Sequence, residues 1–392
     1  MDSLAFASFS RGSRTAYGCG PDNIRCVQFY RFGRDTSAYA GVMSVTADQF
    51  AERLLQSSLG FIDILATHLG DRLGWYRALA AGGPATAAEL VARAGGSPRY
   101  AQEWLEQQAT TGVLTLEPDG RFRLPDGPAE VLTDADSLSY LAPMARMLAA
   151  SAAQVPALLD AYRNDGGVSW ADFGVDMRES QADMNRPWFL TRLASALGAV
   201  PELDSVLRRP DALVADVGCG AGWSTIAIAR AYPNLELEGW DVDRPSIDLA
   251  RANGMEAGVE DRVVFCSTDA SHLKDSAYDA IFAFECIHDM AQPVATLAQL
   301  RRAVRPDGMV IIMDEAVAPS FAPPGDDLER LMYGFSLLVC LPDGMSARPS
   351  AATGTVMRED TLRGYAHQAG FSGCEVLPTG EFGVWRFYRL TH

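Results

Sequence analysis

The chain has 392 residues, of which 48% are hydrophobic and 21% are charged. This length supports two domains with sizeable cores, and this composition excludes a wholly disordered chain. With 50 acidic and 33 basic residues the formal net charge is −17, which opposes binding to phosphate backbones. No apolar run reaches the roughly 18 to 20 residues that a membrane span needs. We therefore expect neither a nucleic acid nor a membrane as a partner.

The beginning of the chain and its cysteines indicate the compartment. Residues 1–42 are rich in Arg, Ser, Gly and Tyr and have no apolar core of signal-peptide length. We predict a flexible N-terminal extension there, with Met43 as an alternative start. The seven cysteines form no C-x-x-C pair, and no His/Cys spacing suits zinc. We expect a reduced, cytoplasmic location and no metal site.

Residues 43–134 are predicted to form a winged helix-turn-helix domain. A capped helix begins at Thr46, and apolar residues follow it at helical spacing. A Gly-Gly-Pro turn precedes a short helix at 86–94, and a longer helix runs over about 99–112. Two short extended runs within 113–124 are joined by Pro-Asp-Gly, which is typical of a β-hairpin.

Winged helices often bind DNA, but the charges on the helix at 99–112 do not favour it. Its polar face carries one positive residue, Arg99, and two negative residues, Glu103 and Glu106. A recognition helix must approach phosphates, and this one would repel them. We interpret the domain as a structural or dimerisation module, with a ligand-sensing transcription regulator as the alternative function.

Residues 135–200 are predicted to form a mostly helical connector. Aromatic and sulfur-containing side chains cluster late in it, among them Trp188. These side chains suit interdomain packing and also suit the wall of a substrate pocket. We expect a mixture of the two.

From Ala212 onward, short apolar strands alternate with helices. This order is typical of an α/β fold with a Rossmann-like, doubly wound parallel sheet, which we assign to residues 201–392. The predicted strands are 213–217, 235–240, 263–266, 280–284, 309–313 and 382–390, and the predicted helices are 223–231, 245–254 and 293–304.

A glycine-rich loop follows the first of these strands. Gly218, Gly220 and Gly222 let the backbone approach a ligand without clashes from Cβ atoms. A dinucleotide fingerprint would place its third glycine where this chain has Trp223, which argues against a nicotinamide oxidoreductase. Asp216 adds negative charge beside the loop, which suits a cationic ligand with an amino group better than a pyrophosphate.

Acidic residues end the next two strands. Asp241 lies 23 residues beyond Gly218, where an acid typically holds ribose hydroxyls. Asp269, followed by Ala270, could accept a hydrogen bond from an exocyclic adenine amine. Asp243 is predicted to be only a turn or helix-cap residue. Each acid alone suits an ordinary loop, but together they predict a nucleoside-like ligand.

Four segments resemble the class I S-adenosylmethionine-dependent methyltransferases: 216–222, 239–241, 269–270 and 278–281. With a winged helix before it, the chain is similar to the small-molecule O-methyltransferases of plants and actinomycetes. That resemblance implies a homodimer formed through the N-terminal domain, S-adenosylmethionine as cofactor and a small-molecule acceptor. It implies these cofactor-binding residues: Asp216, Gly218, Gly220, Gly222, Asp241, Asp269, Ala270 and Phe284.

His288 is the candidate general base, because it follows a strand at the same crevice and titrates near neutral pH. Ile-His-Asp-Met around it resembles the His-Asp-Trp element of plant-type O-methyltransferases, with Met290 in place of tryptophan. Asp289 is a candidate to orient the imidazole. Glu315 matches the assisting carboxylate of that family, and Asp314 is the alternative. A loop histidine that caps a helix is the competing interpretation.

An insertion at 319–357 corresponds to the acceptor-lining region of this family. Met332, Tyr333 and Phe335 within it, together with Trp188, are the candidate substrate contacts. They suggest a bulky, partly aromatic or polyketide-like acceptor, although they also suit ordinary packing. We therefore predict methyl transfer to a small molecule, at a hydroxyl oxygen, while the residues leave nitrogen and carbon acceptors open.

Overall fold

The structure is a computed structural model that describes residues 45–392, so the predicted extension at 1–42 lies outside the described residues. The first helices end in a short β-hairpin, as predicted for a winged helix-turn-helix. Thr46 and Thr86 begin the first and third helices with capping boxes. The ring of Trp104 lies edge-on to Trp75 and Tyr76, with centroids 5.1 and 5.0 Å apart. The elements are α1 (Ala47–Arg72), α2 (Trp75–Gly82), α3 (Ala87–Ala94), α4 (Pro98–Thr110), β1 (Thr115–Leu116) and β2 (Phe122–Arg123).

Helix α1 presents a long apolar face that residues 45–392, the described part of the chain, do not cover. Only Gly70 and Asp71, near its end, are buried. About half of each of seven large apolar side chains before them is exposed, although such side chains normally lie inside a fold. These exposed side chains are Phe50, Leu54, Leu55, Leu59, Phe61, Ile62 and Leu69.

The connecting segment is helical, as predicted. Its elements are α5 (Asp126–Thr133), α6 (Ala142–Ala153), α7 (Val155–Asn164), α8 (Trp170–Trp188), α9 (Ala194–Gly198) and α10 (Pro201–Leu207). A π-helical turn at 189–193 joins α8 to α9. Buried Arg146 of α6 forms ion pairs with Asp71 of α1 and Asp183 of α8, at 2.9 and 2.5 Å. This segment therefore ties the N-terminal helices to the rest of the chain.

A seven-stranded sheet follows, in the order β5-β4-β3-β6-β7-β9-β8. Its strands are β3 (Leu213–Val217), β4 (Glu236–Asp241), β5 (Val263–Ser267), β6 (Tyr278–Phe284), β7 (Val304–Glu315), β8 (Gly373–Val376) and β9 (Trp385–Thr391). The first five strands are parallel, as predicted, and every residue of β6 is buried. The last two were not predicted to be antiparallel, and β8 was not predicted at all. Strand β9 inserts between β7 and β8 and runs antiparallel to both.

Helices cover both faces of the sheet. They are α11 (Trp223–Ala231), α12 (Arg244–Ala257), α13 (Pro293–Ala303), α14 (Asp327–Phe335), α15 (Leu341–Gly344) and α16 (Glu359–Gln368). Because β3 pairs with β4 on one side and β6 on the other, the strand order reverses at β3. Ligands of open α/β sheets bind in the crevice at that switch point. Within the described part of the chain, no helix combines the length and apolar character needed to cross a bilayer.

Candidate active site

The glycine loop between β3 and α11 uses all three glycines for backbone geometry. Gly218, Gly220 and Gly222 have φ angles of 73°, 53° and 81°, in the left-handed region that disfavours other residues. A Cβ atom on Gly218 would lie 2.7 Å from the Cys286 side chain, and one on Gly222 would lie 2.7 Å from the Phe265 ring. Around Gly220 a Cβ atom would meet nothing within 4 Å. The loop lines a cavity of about 830 Å³.

Asp216 supports this loop from the side away from the cavity. Its side chain is only 1% exposed and does not line the cavity. It accepts hydrogen bonds from the hydroxyls of Ser224 and Thr225, each at 2.6 Å. Burial raises the pKa of Asp216 to about 6. This placement corrects the expectation that a cationic ligand touches this carboxylate, because the carboxylate instead holds the start of α11 under the loop.

Asp241 lies at the end of β4 and lines the cavity. One carboxylate oxygen accepts from the Gly220 amide at 2.9 Å, and the other accepts from the Asp243 amide at 2.8 Å. Burial raises the pKa of Asp241. Because each oxygen has further lone pairs, the carboxylate can also accept from two hydroxyls of a ligand.

Asp243 caps α12, as predicted, by accepting from the Ser246 amide at 3.0 Å. It also forms an ion pair with Arg178 of α8, at 2.5 Å, which sequence analysis missed. Burial alone would raise the pKa of Asp243, but the Arg178 guanidinium and the Ser246 hydroxyl outweigh it and lower that pKa. The pair joins α8 to the rim of the cavity.

Asp269, Ala270 and Phe284 also line the cavity. Asp269 is exposed and accepts from the Ser271 amide at 2.8 Å, so it caps the short 3-10 turn that follows β5. Ala270 is buried next to it. Phe284 ends β6 and stacks on Phe282. The structure thus places every predicted cofactor residue at the cavity except Asp216 and Gly222, which do not line it.

His288 is 3% exposed and lies among three carboxyl groups. Its Nδ1 atom is 2.9 Å from Oδ1 of Asp314 and 3.3 Å from Oε2 of Glu315, while Nε2 is 3.1 Å from Oδ1 of Asp289. Burial alone would lower the pKa of His288, but the charges of Asp289, Asp314 and Glu315 outweigh it and raise that pKa well above its usual range. The histidine is buried beside the cavity and does not cap a helix.

The two carboxyl groups on Nδ1 differ in their contact with the imidazole. Burial raises the pKa of Glu315 well above its usual range, whereas burial at Asp314 is outweighed by His288, which lowers the pKa of Asp314. Asp314 forms the hydrogen bond to Nδ1, whereas Oε2 of Glu315 lies 3.3 Å away and forms none with the described residues. Sequence analysis put Glu315 first and Asp314 as the alternative.

One wall of the cavity is mostly apolar. Trp188, Met332 and Phe335, three of the candidate substrate contacts, line the cavity. Tyr333 does not: it is exposed, and its hydroxyl accepts from Arg358 at 3.3 Å. On a helix, adjacent residues point in different directions, so Tyr333 faces away when Met332 faces inward. Met144 and Met147, which sequence analysis did not single out, also line the cavity, as does Met177, one of the late sulfur-containing side chains of the connector.

Three further polar residues of the cavity were missed. Glu285 has a φ of 49° and accepts from Asn185 and the Trp385 indole, and burial raises the pKa of Glu285 to about 7. Cys340 and Asp343 reach the cavity from beyond α14. Glu285 could have been found from the sequence, because it directly follows β6. No local pattern pointed to Cys340 or Asp343.

Two family models match the chain. Residues 214–308 match the model described as a methyltransferase domain, and residues 62–134 match the model described as an Rv2258c-like winged HTH domain.

Curated relatives match over parts of the chain. The 27-O-demethylrifamycin SV methyltransferase of Amycolatopsis mediterranei is 33% identical over 144 residues, which is 36% of this chain and 50% of the relative. Methyltransferase GfsG of Streptomyces halstedii is 35% identical over 106 residues, or 26% of this chain and 38% of the relative. The chain thus spans half or less of the length of these two relatives.

Solved structures match over most of the chain. Mitomycin 7-O-methyltransferase MmcR is 21% identical, with a TM-score of 0.65, over 88% of this chain and 98% of that one. Human N-acetylserotonin methyltransferase, solved with S-adenosylmethionine, is 19% identical, with a TM-score of 0.64, over 89% and 99%. An O-methyltransferase family protein of Burkholderia thailandensis is 19% identical, with a TM-score of 0.66, over 87% and 98%. At these identities the likeness concerns the fold. The chain therefore shares the fold of these methyltransferases, with residues 214–308 matching a methyltransferase domain and residues 62–134 matching an Rv2258c-like winged HTH domain.

Proposed function

We propose that the chain is an S-adenosylmethionine-dependent methyltransferase that acts on a hydroxyl oxygen of a small molecule, with His288 as the general base. The observation that carries this proposal is the single cavity that joins the glycine loop and Asp241 to His288. A methyl donor and an acceptor must lie in line for the displacement, and one enclosed space that holds both supplies that positioning.

The cofactor would lie along the ends of β3, β4 and β5. The glycine loop would contact its methionine part, Asp241 would accept from the ribose hydroxyls, and Asp269 with Ala270 would contact the adenine. Asp216 would act through the loop that it supports. Human N-acetylserotonin methyltransferase, whose structure was solved with S-adenosylmethionine, and PigF, solved with S-adenosylhomocysteine, support this assignment by their likeness in fold.

The bound cofactor supplies an electrophilic methyl group on a sulfonium. The acceptor hydroxyl attacks it in line, and Nε2 of His288 takes the hydroxyl proton. The carboxyl groups around His288 favour its protonated form, so Nε2 must first lose its proton; Nδ1 keeps the remaining one and donates it to Asp314. Asp314 thus sets the tautomer and balances the imidazolium that forms.

Apolar side chains on the acceptor side support a bulky acceptor with few charges. The cavity of about 830 Å³ must hold the cofactor as well as the acceptor. The mitomycin and rifamycin methyltransferases among the similar proteins carry names that refer to bulky small molecules. They support a secondary-metabolite-like acceptor for this chain.

A homodimer through the N-terminal domain is part of the proposal. The apolar face of α1 supports it, since an exposed stripe of this length would be covered by a second copy. DNA binding is not supported, because Arg99 on α4 forms an ion pair with Glu103 and the helix offers no free basic face.

Calorimetric titration with S-adenosylmethionine and S-adenosylhomocysteine, with NAD as the control, tests the proposal. We expect micromolar binding of the first two and none of NAD. If neither binds, the enzyme assignment is wrong, and the ligand-sensing regulator becomes the function to test by operator binding at physiological salt.

A further inference from the structure

A second arrangement meets at the outer nitrogen of His288. Nε2 of His288 lies 3.1 Å from Oδ1 of Asp289, and the sulfur of Cys340 lies within 4.8 Å of both atoms. Asp289 follows β6, whereas Cys340 ends the π-helical turn that follows α14. All three residues line the cavity. Segments far apart in sequence thus bring a nitrogen, an oxygen and a sulfur donor to one point.

The contact between Nε2 and Asp289 holds the imidazolium proton of His288 when no metal is bound, and a metal ion would replace that proton. Nδ1 donates to Asp314, so in the neutral imidazole Nε2 carries a lone pair. That lone pair faces the Asp289 oxygen, which has no hydrogen-bond partner in the fold. Two electron-rich atoms at this distance repel each other unless a proton or a metal ion lies between them.

The donors are those that zinc prefers. Imidazole nitrogen, carboxylate oxygen and thiolate sulfur bind Zn²⁺ at roughly 2.0 to 2.3 Å, so tetrahedral ligand atoms lie about 3.3 to 3.7 Å from one another. Side-chain movements of about 1 Å would bring Cys340 into that range. Zinc-binding histidines usually donate their other ring nitrogen to a carboxylate, and Asp314 is already in that position behind His288.

A poorly satisfied hydroxyl points to a ligand at the same place. Thr355 is 2% exposed and lines the cavity, and the Cys340 thiol is the weak partner beside its Oγ1 atom, which has no other partner among residues 45–392. A buried hydroxyl without a strong partner is costly, and it could donate to a metal-bound thiolate or contact a metal-bound water.

We propose that His288 Nε2, Asp289 Oδ1 and Cys340 Sγ form a binding site for a zinc-class divalent cation, with a fourth coordination position open to the cavity. On binding, the Cys340 thiol and Nε2 of His288 each release a proton to solvent, and the metal–sulfur and metal–nitrogen bonds form. Sequence spacing predicted no metal site, since it could not reveal that Cys340 approaches His288. The site depends on these contacts alone. One consequence depends on the proposed function: a metal on Nε2 excludes proton abstraction by that atom, so the cation would inhibit methyl transfer.

Cobalt provides the test, because thiolate-bound Co²⁺ absorbs in the near ultraviolet. The full chain, reduced and freed of metals with a chelator, is titrated with Co²⁺ without oxygen. We expect a thiolate-to-cobalt band that saturates at one equivalent and disappears when Zn²⁺ is added. Cys340→Ser should lose the band. Cys266→Ser, which removes a cysteine outside the cavity, should keep it.

Two further variants keep the test decisive if Cys340→Ser fails to fold. Asp289→Asn and Asp314→Asn should each weaken Co²⁺ binding at least about tenfold, the first as a ligand and the second as the partner of Nδ1. No saturating band, or the same band in Cys340→Ser, overturns the site. Binding of S-adenosylhomocysteine without the band overturns the metal site and leaves the proposed function intact. The cobalt band without binding of S-adenosylhomocysteine supports the metal site and overturns the proposed function.

Discussion

Nδ1 of His288 lies 2.9 Å from Oδ1 of Asp314, and this buried contact sets which ring nitrogen faces the cavity. Neighbouring Glu315 is 3.3 Å from the same nitrogen but forms no hydrogen bond with it. The hydrogen bond that orients the imidazole therefore comes from Asp314. In the proposed mechanism, Asp314 and not Glu315 is the main partner of the base.

This difference predicts unequal effects on turnover from mutations at Asp314 and Glu315. Asp314→Asn should lower turnover on a hydroxyl acceptor by roughly 100-fold or more, because it removes the charge and permits the wrong tautomer. Glu315→Gln, the matched change of a neighbouring acid to its amide, should cost much less. His288→Ala should lower turnover about as much as Asp314→Asn does, while its cofactor affinity stays the same. A larger loss in Glu315→Gln would reverse the assignment.

Asp241 should dominate cofactor affinity. Asp241→Ala removes a carboxylate that supports the Gly220 amide and faces the cavity, so affinity for S-adenosylhomocysteine should fall roughly 100-fold. Asp269→Ala is the control. Because Asp269 is exposed, its removal should lower the affinity for S-adenosylhomocysteine less than about tenfold. Calorimetric titration of both variants measures the difference. Equal losses would mean that Asp241 does not hold the ribose.

The three loop glycines should not be equivalent. Gly218→Ala and Gly222→Ala add a Cβ atom 2.7 Å from a neighbouring side chain, whereas Gly220→Ala adds one in open space. All three have positive φ, so the backbone strain of about 1 kcal/mol is common to them. We expect lost cofactor binding for the first two variants only, and a larger fall in Tm for them than for Gly220→Ala. A Gly220→Ala variant as damaged as the others would contradict the steric argument.

Asp216 should make stability depend on pH. Its pKa is raised to about 6 in the folded chain, above its unfolded value, so the protonated carboxyl favours folding and that contribution is lost as pH rises through 6. Asp216→Asn cannot ionise. Between pH 4 and pH 8 the wild type should therefore lose about 2 to 3 kcal/mol of unfolding free energy relative to this variant. Urea denaturation at several pH values measures it, and parallel curves would exclude ionisation of Asp216 in this range.

The apolar face of α1 should hold the dimer together. Leu54→Glu with Ile62→Glu places charges in that face, where both side chains are about half exposed in the single chain. We expect a dimeric wild type and a monomeric double variant by light scattering, with the fold retained. Tyr100→Glu, at an exposed apolar position on α4, is the control and should remain dimeric. A dimer that survives the double variant would have a different interface.

Local sequence patterns alone determined much of the fold and of the cofactor side. Hydrophobic periodicity separates the strands from the helices, and the glycine loop with Asp241 and Asp269 lies at strand ends. Parallel strands bring their carboxyl ends to one edge of the sheet, so these residues lie close together in any fold with this strand order. His288 was recognisable for the same reason.

Only the tertiary structure decided which side chains face one another across distant segments. The inward direction of Met332 and the outward direction of Tyr333 depend on how α14 packs. The burial of Asp216 behind the loop, the choice of Asp314 over Glu315, and the approach of Cys340 to Asp289 depend on contacts between separate elements. Sequence spacing records the order of residues along the chain, whereas these contacts are set by packing through space.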